Sequence, residues 1–207
     1  MEHDLNRLSV HPNQPEPNFI TQAVDVLLSG GLLIFPTETV YGIAADANNK
    51  EACDRIYEAK GRDDQKPLAL FAVDVATFET HGIRLPESAE RIGNAYWPGP
   101  MTLVVPNGNS TVGLRIPDHA VPLAILKAYG GLLAVTSANR SGEPDATTAE
   151  AAISALGEAA DLVLDAGNAP GGMPSSVIKI EQDGMFSMLR EGPISEADVQ
   201  RCLSSEK

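Results

Sequence analysis

The sequence predicts a mixed α/β (α+β) fold, in which helices flank a twisted mixed sheet. Short apolar runs such as LLIF (32–35) and TLVV (102–105) end in turn residues, which is typical of buried strands. Between several of these runs, apolar side chains recur every three or four residues, as they do on one face of a helix. Because strands and helices do not alternate strictly, the pattern favours a mixed sheet over a purely parallel one.

In the first half of the chain, glycine and capping residues indicate where the helices begin and end. The first helix places apolar side chains on one face and stops at Gly30. Asn48 and Glu51 form a predicted capping box for the second helix, which ends at Gly61. The predicted helices here are 19–29, 51–60, 75–81 and 87–96, and the predicted strands are 32–36, 67–73 and 102–106.

The second half shows the same signals. Gly130 closes a helix, Thr147 and Glu150 form a second predicted capping box, and Ser195 caps a short final helix. The predicted strands are 112–117, 132–138, 161–167, 175–181 and 185–191, and the longer predicted helices are 120–129 and 147–160.

The length of 207 residues suits one domain with a sizeable core. Residues 1–17 are polar and contain three prolines, so we expect a flexible N-terminal arm followed by a single domain over 18–207. No apolar stretch has the length or flanks of a signal peptide or a membrane span, so we expect a cytoplasmic protein. Cys53 and Cys202 are expected to be reduced thiols.

The formal net charge of −13 disfavours a dedicated nucleic-acid-binding module, because proteins bind phosphate backbones largely through Lys and Arg. We therefore expect no more than weak contact with tRNA or double-stranded RNA. The four histidines show no metal-ligand spacing, so we expect no metal bound by protein side chains.

Four polar clusters follow apolar strands. They are PTETVYG (36–42), KGRDDQKP (60–67), TSANRSG (136–142) and PSSV (174–177), the last together with Arg190. In the first cluster, Val40, Tyr41 and Gly42 look like the start of another strand. Ligands of α/β sheets bind at strand ends, so four such clusters predict a shared pocket.

The cations in these segments allow two interpretations. Lys60, Arg62 and Lys66 present the ammonium and guanidinium groups that a polyphosphate needs, yet Lys60 also suits a helix C-terminus. Arg115 lies among Val, Leu and Ile, where it is either an edge-strand salt bridge or a clamp for a carboxylate or phosphate.

The known phosphate-loop and nucleophile motifs do not occur in the sequence. There is no G-x-x-x-x-G-K-[ST] loop, no G-x-G-x-x-G after a strand and no G-x-S-x-G elbow. The hydroxyls and amide of TSANRSG suit either a bound phosphate or an ordinary turn.

Taken in order, PTETVYG, AKGRDDQKPL, WPGPMTLV, VGLRIP, TSANRSG, PSSV and LREG resemble the YrdC/TsaC family of threonylcarbamoyl-AMP synthases. The resemblance runs from about residue 19 to residue 197 and is specific in the order and spacing of the motifs. The resemblance is to the single-domain bacterial type, so we expect no counterpart of the further C-terminal domain of longer relatives.

The resemblance implies a nucleotidyltransferase that combines L-threonine, bicarbonate and ATP into threonylcarbamoyl-AMP and pyrophosphate. The product would serve threonylcarbamoyladenosine formation next to the anticodon of tRNA, by a downstream transferase complex of the TsaB, TsaD and TsaE type. The implied fold surrounds an open concave cavity. ATP would enter as its Mg²⁺ complex, with no tightly bound organic cofactor.

The resemblance also implies roles for individual residues. Thr39, Arg115 and Ser175 would bind threonine. The ATP-binding residues would be Lys60, Arg62, Lys66, Thr111, Ser137, Asn139 and Arg190, with Lys60 and Arg62 also catalytic. The sequence departs from the family pattern at Ser176, where Thr is common, at Phe71, where some relatives have His, and at Asp145, where a small polar residue is usual.

The sequence leaves two alternative functions open. The carbamoyl-adenylate transferase of hydrogenase maturation contains a similar domain, but it also needs acylphosphatase and zinc-finger segments, which are not found here. A double-stranded RNA or tRNA-binding module is the second alternative, and the charge of −13 argues against it.

Overall fold

The computed structural model describes residues 6–61 and 67–204, which form ten strands and seven helices. The strands are β1 (Asn6–Ser9), β2 (Leu33–Phe35), β3 (Gly42–Asp46), β4 (Ala69–Phe71), β5 (Met101–Asn107), β6 (Ser110–Arg115), β7 (Leu133–Ser137), β8 (Leu162–Asp165), β9 (Ser176–Ile180) and β10 (Phe186–Arg190). The helices are α1 (Pro17–Leu28), α2 (Lys50–Lys60), α3 (Val75–Thr80), α4 (Glu87–Tyr96), α5 (Ala120–Tyr129), α6 (Ala149–Leu156) and α7 (Glu196–Ser204).

The ten strands form one mixed sheet in the order β1-β8-β2-β3-β7-β4-β6-β5-β9-β10. Four neighbouring pairs, such as β4 with β6 and β5 with β9, are parallel, and the other five are antiparallel. The predicted mixed sheet with flanking helices is therefore confirmed. None of the helices in the two described ranges is both long and apolar enough to cross a bilayer.

The run LLIF is apolar throughout because both faces of β2 are covered. Ile34 packs into a core with α2 and α6, whereas Leu33 and Phe35 point the other way into a core with α1 and α5. Alternating side chains thus enter two different cores, as expected for a strand in the interior of a sheet covered by helices. A third core joins β5, β6 and β9 to α3, α4 and α7.

The predicted helix caps are displaced by one residue at two N-termini. Asn49, not Asn48, caps α2, because its side chain accepts the N–H of Ala52 at 3.0 Å. Similarly Thr148, rather than Thr147, accepts the N–H of Ala151 and caps α6. Gly61 closes α2 in the left-handed conformation, as predicted, with φ +56°.

Two strands, β1 and β3, differ from what the sequence patterns predict. Asn6–Ser9, inside the predicted arm, pairs in parallel with β8, and Arg7 bonds Asp165 on that strand and Glu150 at the start of α6. The division into an arm and one domain stays a prediction. The strand suggested by Val40–Gly42 begins at Gly42 and forms β3, which pairs with both β2 and β7.

Candidate active site

The turn between β2 and β3 is organised by Thr37. Its hydroxyl oxygen accepts hydrogen bonds from the backbone N–H groups of Thr39 (3.1 Å) and Val40 (3.2 Å), and its hydroxyl group donates to the carbonyl oxygen of Val40 at 2.7 Å. The hydroxyls of Thr37 and Thr39 lie 2.8 Å apart, within hydrogen-bond distance. Both side chains are buried, and the oxygen of Thr39 is left as an acceptor.

Arg115, the last residue of β6, supplies the donor for that oxygen. Its Nη2 donates to Thr39 Oγ1 at 2.9 Å and to Glu38 Oε1 at 2.8 Å, and its guanidinium carbon lies 5.3 Å from the centre of the Phe71 ring. Arg115 is only 5% exposed. The ion pair and the aromatic ring therefore hold the guanidinium in a fixed orientation beside the 36–42 turn.

Ser175, which directly precedes β9, lies beside Arg190, the last residue of the neighbouring strand β10. Ser175 Oγ lies 2.9 Å from Thr102 Oγ1, and Arg190 donates through Nε to Ser175 O (2.9 Å) and through Nη2 to Ser175 Oγ (3.2 Å). The pairing of Leu103 with Leu114 places Thr102 opposite Arg115. Thr102 thus links the Ser175–Arg190 pair to the strand that carries Arg115.

Two glycines allow loops to close against these residues. A Cβ atom at Gly171 would lie 2.5 Å from the carbonyl oxygen of Glu38, and one at Gly192 would lie 2.6 Å from the carbonyl oxygen of Pro174. Backbone atoms cannot move aside as a flexible side chain does, so both positions exclude any side chain. The N–H of Gly171 also donates to Glu38 O at 2.9 Å.

Lys60 forms a second cluster at the end of β7. Its Nζ donates to the carbonyls of Ser137 and Asn139, both at 2.5 Å, and lies 3.4 Å from Asn139 Oδ1. Ser137 Oγ donates to the same Oδ1 at 2.5 Å, and Asn139 Nδ2 donates to Glu143 O at 2.7 Å. Lys60 is 5% exposed, so an ammonium group with three donors is buried against this turn.

The two clusters are connected through the backbone. Gly42 pairs with Ser137 in the β3–β7 ladder, and the N–H of Ala138 donates to Tyr41 O at 2.8 Å. Tyr41 itself is fully buried, and its hydroxyl donates to Gly167 O at 2.6 Å. Burial raises the pKa of the Tyr41 phenol, so it stays neutral and acts as a structural donor.

Comparison with known proteins decides the family. The family model for Sua5, YciO and YrdC, described as "Telomere recombination", matches residues 25–192. The chain belongs to the Sua5/YciO/YrdC family. It is 35% identical to the threonylcarbamoyl-AMP synthase of Bacillus subtilis over 91% of this chain, and 34% identical to that of Pyrococcus abyssi over 87%.

A solved structure of a family member agrees with the fold. Pyrococcus abyssi Sua5 complexed with L-threonine superposes with a TM-score of 0.89 and 31% identity over 96% of this chain, which covers 61% of the Sua5 chain. The chain covers 56% of each of the two curated relatives, so it spans little more than half of their length.

Among the residues implied by the family resemblance, the structure joins several that the sequence presents separately. Arg115 contacts Thr39, Ser175 contacts Arg190, and Lys60 contacts both Ser137 and Asn139. Thr111 is exposed on β6, four residues before Arg115, and alternation along a strand puts both on the same face of the sheet. Arg62 and Lys66 lie outside the described residues.

Sequence reasoning missed two contributors and left the role of a third open. Thr102 lies in the WPGPMTLV motif but has no role implied by it, and only the strand register reveals its contact with Ser175. Gly171 gives no signal beyond its place in a glycine-rich loop. Glu38 belongs to the PTETVYG cluster, where the sequence suits either a residue that orients a base or one that faces solvent, and the structure pairs it with Arg115. In the described ranges, no group of three or more His, Cys, Asp and Glu residues is arranged to hold a metal ion.

Proposed function

We propose that this chain is an L-threonylcarbamoyladenylate synthase, which converts L-threonine, bicarbonate and ATP into threonylcarbamoyl-AMP and pyrophosphate. One observation carries the proposal. Arg115 and Thr39, implied separately as threonine-binding residues, touch each other at 2.9 Å in a buried cluster of a chain that belongs to this family. The threonine complex of the similar Pyrococcus abyssi Sua5 supports the same choice of amino acid.

In the proposed site, the guanidinium of Arg115 binds the threonine carboxylate. Its Nη2 already donates to Glu38 and Thr39, which leaves Nε and Nη1 as donors for the carboxylate. Thr39 Oγ1 accepts one hydrogen bond from Arg115 and has a second lone pair for a substrate hydroxyl or N–H. Ser175 adds a further hydroxyl.

The ATP side of the proposed site contains Lys60, Arg62, Lys66, Thr111, Ser137, Asn139 and Arg190. The threonine ammonium group first loses a proton, and the neutral amine then forms a carbamate with CO₂, releasing a second proton, or with bicarbonate, releasing water. A carbamate oxygen then attacks the α-phosphorus while pyrophosphate leaves. Negative charge grows on the phosphoryl oxygens and the leaving group, so cations and the Mg²⁺ that accompanies ATP supply the stabilisation. No protein nucleophile takes part.

We also propose how the product is used. Threonylcarbamoyl-AMP passes to a transferase complex of the TsaB, TsaD and TsaE type in the cytoplasm, which modifies the adenosine next to the anticodon of tRNA. Contact between tRNA and this chain is weak and sensitive to salt, because 28 acidic residues outnumber 15 basic ones.

The direct test is pyrophosphate release from Mg²⁺–ATP, measured with each substrate omitted in turn. Release should require both threonine and bicarbonate. Serine, which lacks one methyl group, should lose about 1–3 kcal/mol of transition-state binding, and valine, which lacks the hydroxyl, should lose more. Pyrophosphate release that is independent of threonine, or equal for threonine and valine, would contradict the proposal.

A further inference from the structure

The Glu38–Arg115 pair contains two buried atoms that lack partners. Only three buried side-chain nitrogen or oxygen atoms in residues 6–61 and 67–204 have no hydrogen-bond partner, namely Glu38 Oε2, Ser88 Oγ and Arg115 Nε. Two of the three therefore belong to one ion pair. A buried polar atom without a partner is costly and rare in folded proteins, so its position needs an explanation.

The hydrogen bonds that the pair does make are concentrated on one side. Arg115 uses Nη2 for both of its hydrogen bonds to described residues, and Glu38 uses Oε1. One vacant donor and one vacant acceptor thus lie on two side chains that touch at 2.8 Å. Together they offer a positively charged donor and a negatively charged acceptor on two adjoining side chains.

Charge also distinguishes this site from a simple carboxylate clamp. An isolated arginine would attract any anion, including the phosphates of ATP. Glu38, whose side chain is only 14% exposed, makes the pair neutral overall, so the pair lacks the net attraction for a purely negative ligand that an isolated arginine has. A zwitterion gains from both charges, because its ammonium group faces the carboxylate of Glu38 while its carboxylate faces Arg115.

We propose that Glu38 is the counter-charge for the substrate's α-ammonium group, so that the Glu38–Arg115 pair recognises a zwitterion rather than a carboxylate alone. The inference rests on the proposed function, since it concerns the amino acid bound at that same site. Glu38 thereby sets the substrate class: free α-amino acids bind, and hydroxy acids of the same shape are rejected.

A purely supporting role for Glu38 makes a different prediction. If Glu38 only orients Arg115, its loss should weaken every carboxylate ligand by the same factor. If it faces the ammonium, its loss should weaken threonine alone. (R)-3-Hydroxybutanoate separates the two roles, because it is threonine without the amino group.

The experiment is calorimetric titration of both ligands into the wild-type chain and Glu38→Gln, with Mg²⁺ and a non-hydrolysable ATP analogue present. Glutamine keeps an oxygen that can accept from Arg115 Nη2. Wild-type protein should bind threonine roughly tenfold to a hundredfold more tightly than the hydroxy acid, as expected for a hydrogen bond between charged groups. In Glu38→Gln this ratio should fall to about one.

Glu150→Gln is the matched control, because Glu150 also pairs with an arginine, Arg7, but beside the edge strand β1. It should keep the wild-type ratio. Equal wild-type affinity for the two ligands would overturn the proposal even if Glu38→Gln failed to fold, and so would an unchanged ratio in folded Glu38→Gln. Binding of neither ligand to wild-type protein would instead overturn the proposed function, and this inference with it.

Discussion

Arg115 and Lys60 are both buried cations at strand or helix ends, each 5% exposed, but their surroundings differ. Arg115 is paired on one side and keeps a buried Nε without a partner. Lys60 is directed at two backbone carbonyls and an amide oxygen of the 137–139 turn. Arg115 therefore keeps an unused donor for a ligand, whereas Lys60 uses its donors to hold a turn.

This difference separates two roles that the sequence does not distinguish. A cation with a vacant buried donor is suited to contact substrate directly. A cation that binds carbonyls fixes the groups around it, here the hydroxyl of Ser137 and the amide of Asn139. Lys60 in direct contact with the triphosphate stays a prediction, and such a contact requires its ammonium to give up part of the bonding to the turn.

The largest expected effect is at Arg115. Arg115→Lys keeps the charge but removes the planar fork, so one ammonium cannot serve Glu38, Thr39 and a substrate carboxylate together. We expect kcat/KM for threonine to fall about a hundredfold or more, with little change in KM for ATP. Steady-state pyrophosphate release measures both constants.

Arg55→Lys is the control for this variant. Arg55 also pairs with a carboxylate, Asp161 at 2.9 Å, but it lies outside the candidate site. It should keep wild-type kinetics. If Arg115→Lys retained most of the wild-type kcat/KM for threonine, Arg115 would be a structural ion pair, and the contrast with Lys60 would disappear.

The second effect is on stability. Lys60→Met leaves the carbonyls of Ser137 and Asn139 without their buried donor, so the free energy of unfolding should fall by roughly 2–4 kcal/mol. Lys127→Met is the matched control, since Lys127 also lies in the last turn of a helix closed by a left-handed glycine, yet it is exposed. Lys127→Met should lower the free energy of unfolding by only about 0.3–1 kcal/mol. Equally small losses in both variants, measured by urea unfolding, would show that Lys60 only complements its helix terminus.

The third effect concerns the turn that Lys60 holds. Ser137→Ala removes the hydrogen bond to Asn139 Oδ1. We therefore expect kcat/KM for ATP to fall about fivefold, which corresponds to a loss of about 1 kcal/mol of transition-state binding. Ser141, exposed on the same segment, gives the control Ser141→Ala, which should have no effect. If kcat/KM for threonine fell more than kcat/KM for ATP, Ser137 would act with the Arg115 cluster instead.

Sequence patterns predicted the secondary structure and the mixed sheet well, because apolar periodicity reports directly on burial. They misplaced the caps of α2 and α6 by one residue, since Asn48 and Asn49, like Thr147 and Thr148, are adjacent residues of equal capping ability. The sequence could not predict the contact of Thr102 with Ser175, 73 residues apart, which depends on the parallel pairing of β5 and β9. Nor could it reveal that Glu38 faces Arg115, because residue type alone does not define which neighbour a carboxylate meets.

The smallest expected effect comes from His119, which precedes α5 and accepts the N–H of Val121 through Nδ1 at 3.2 Å. Burial lowers the pKa of His119 below its usual 6.5, although the negative charges of Glu38 and Asp118 act to raise it. Between the lowered pKa and 6.5, the unfolded chain holds a proton that the folded chain does not. Stability should therefore be complete above about pH 6.5 and fall as the pH falls through that window, with a slope of at most about 1.4 kcal/mol per pH unit.

His119→Asn should flatten this slope, since asparagine can still cap the helix but does not titrate. Glu38→Gln provides the sharper test of the comparison, because it removes a charge that favours the imidazolium. The pKa of His119, followed by NMR, should fall further in Glu38→Gln and stay unchanged in Ser137→Ala, since Ser137 carries no charge. A His119 pKa that does not respond to Glu38→Gln would mean that Arg115 already cancels the field of Glu38 at this distance. The Glu38–Arg115 pair would then have no net negative potential that attracts an ammonium group. Arg115 and Lys60 would differ only in the geometry of their hydrogen bonds.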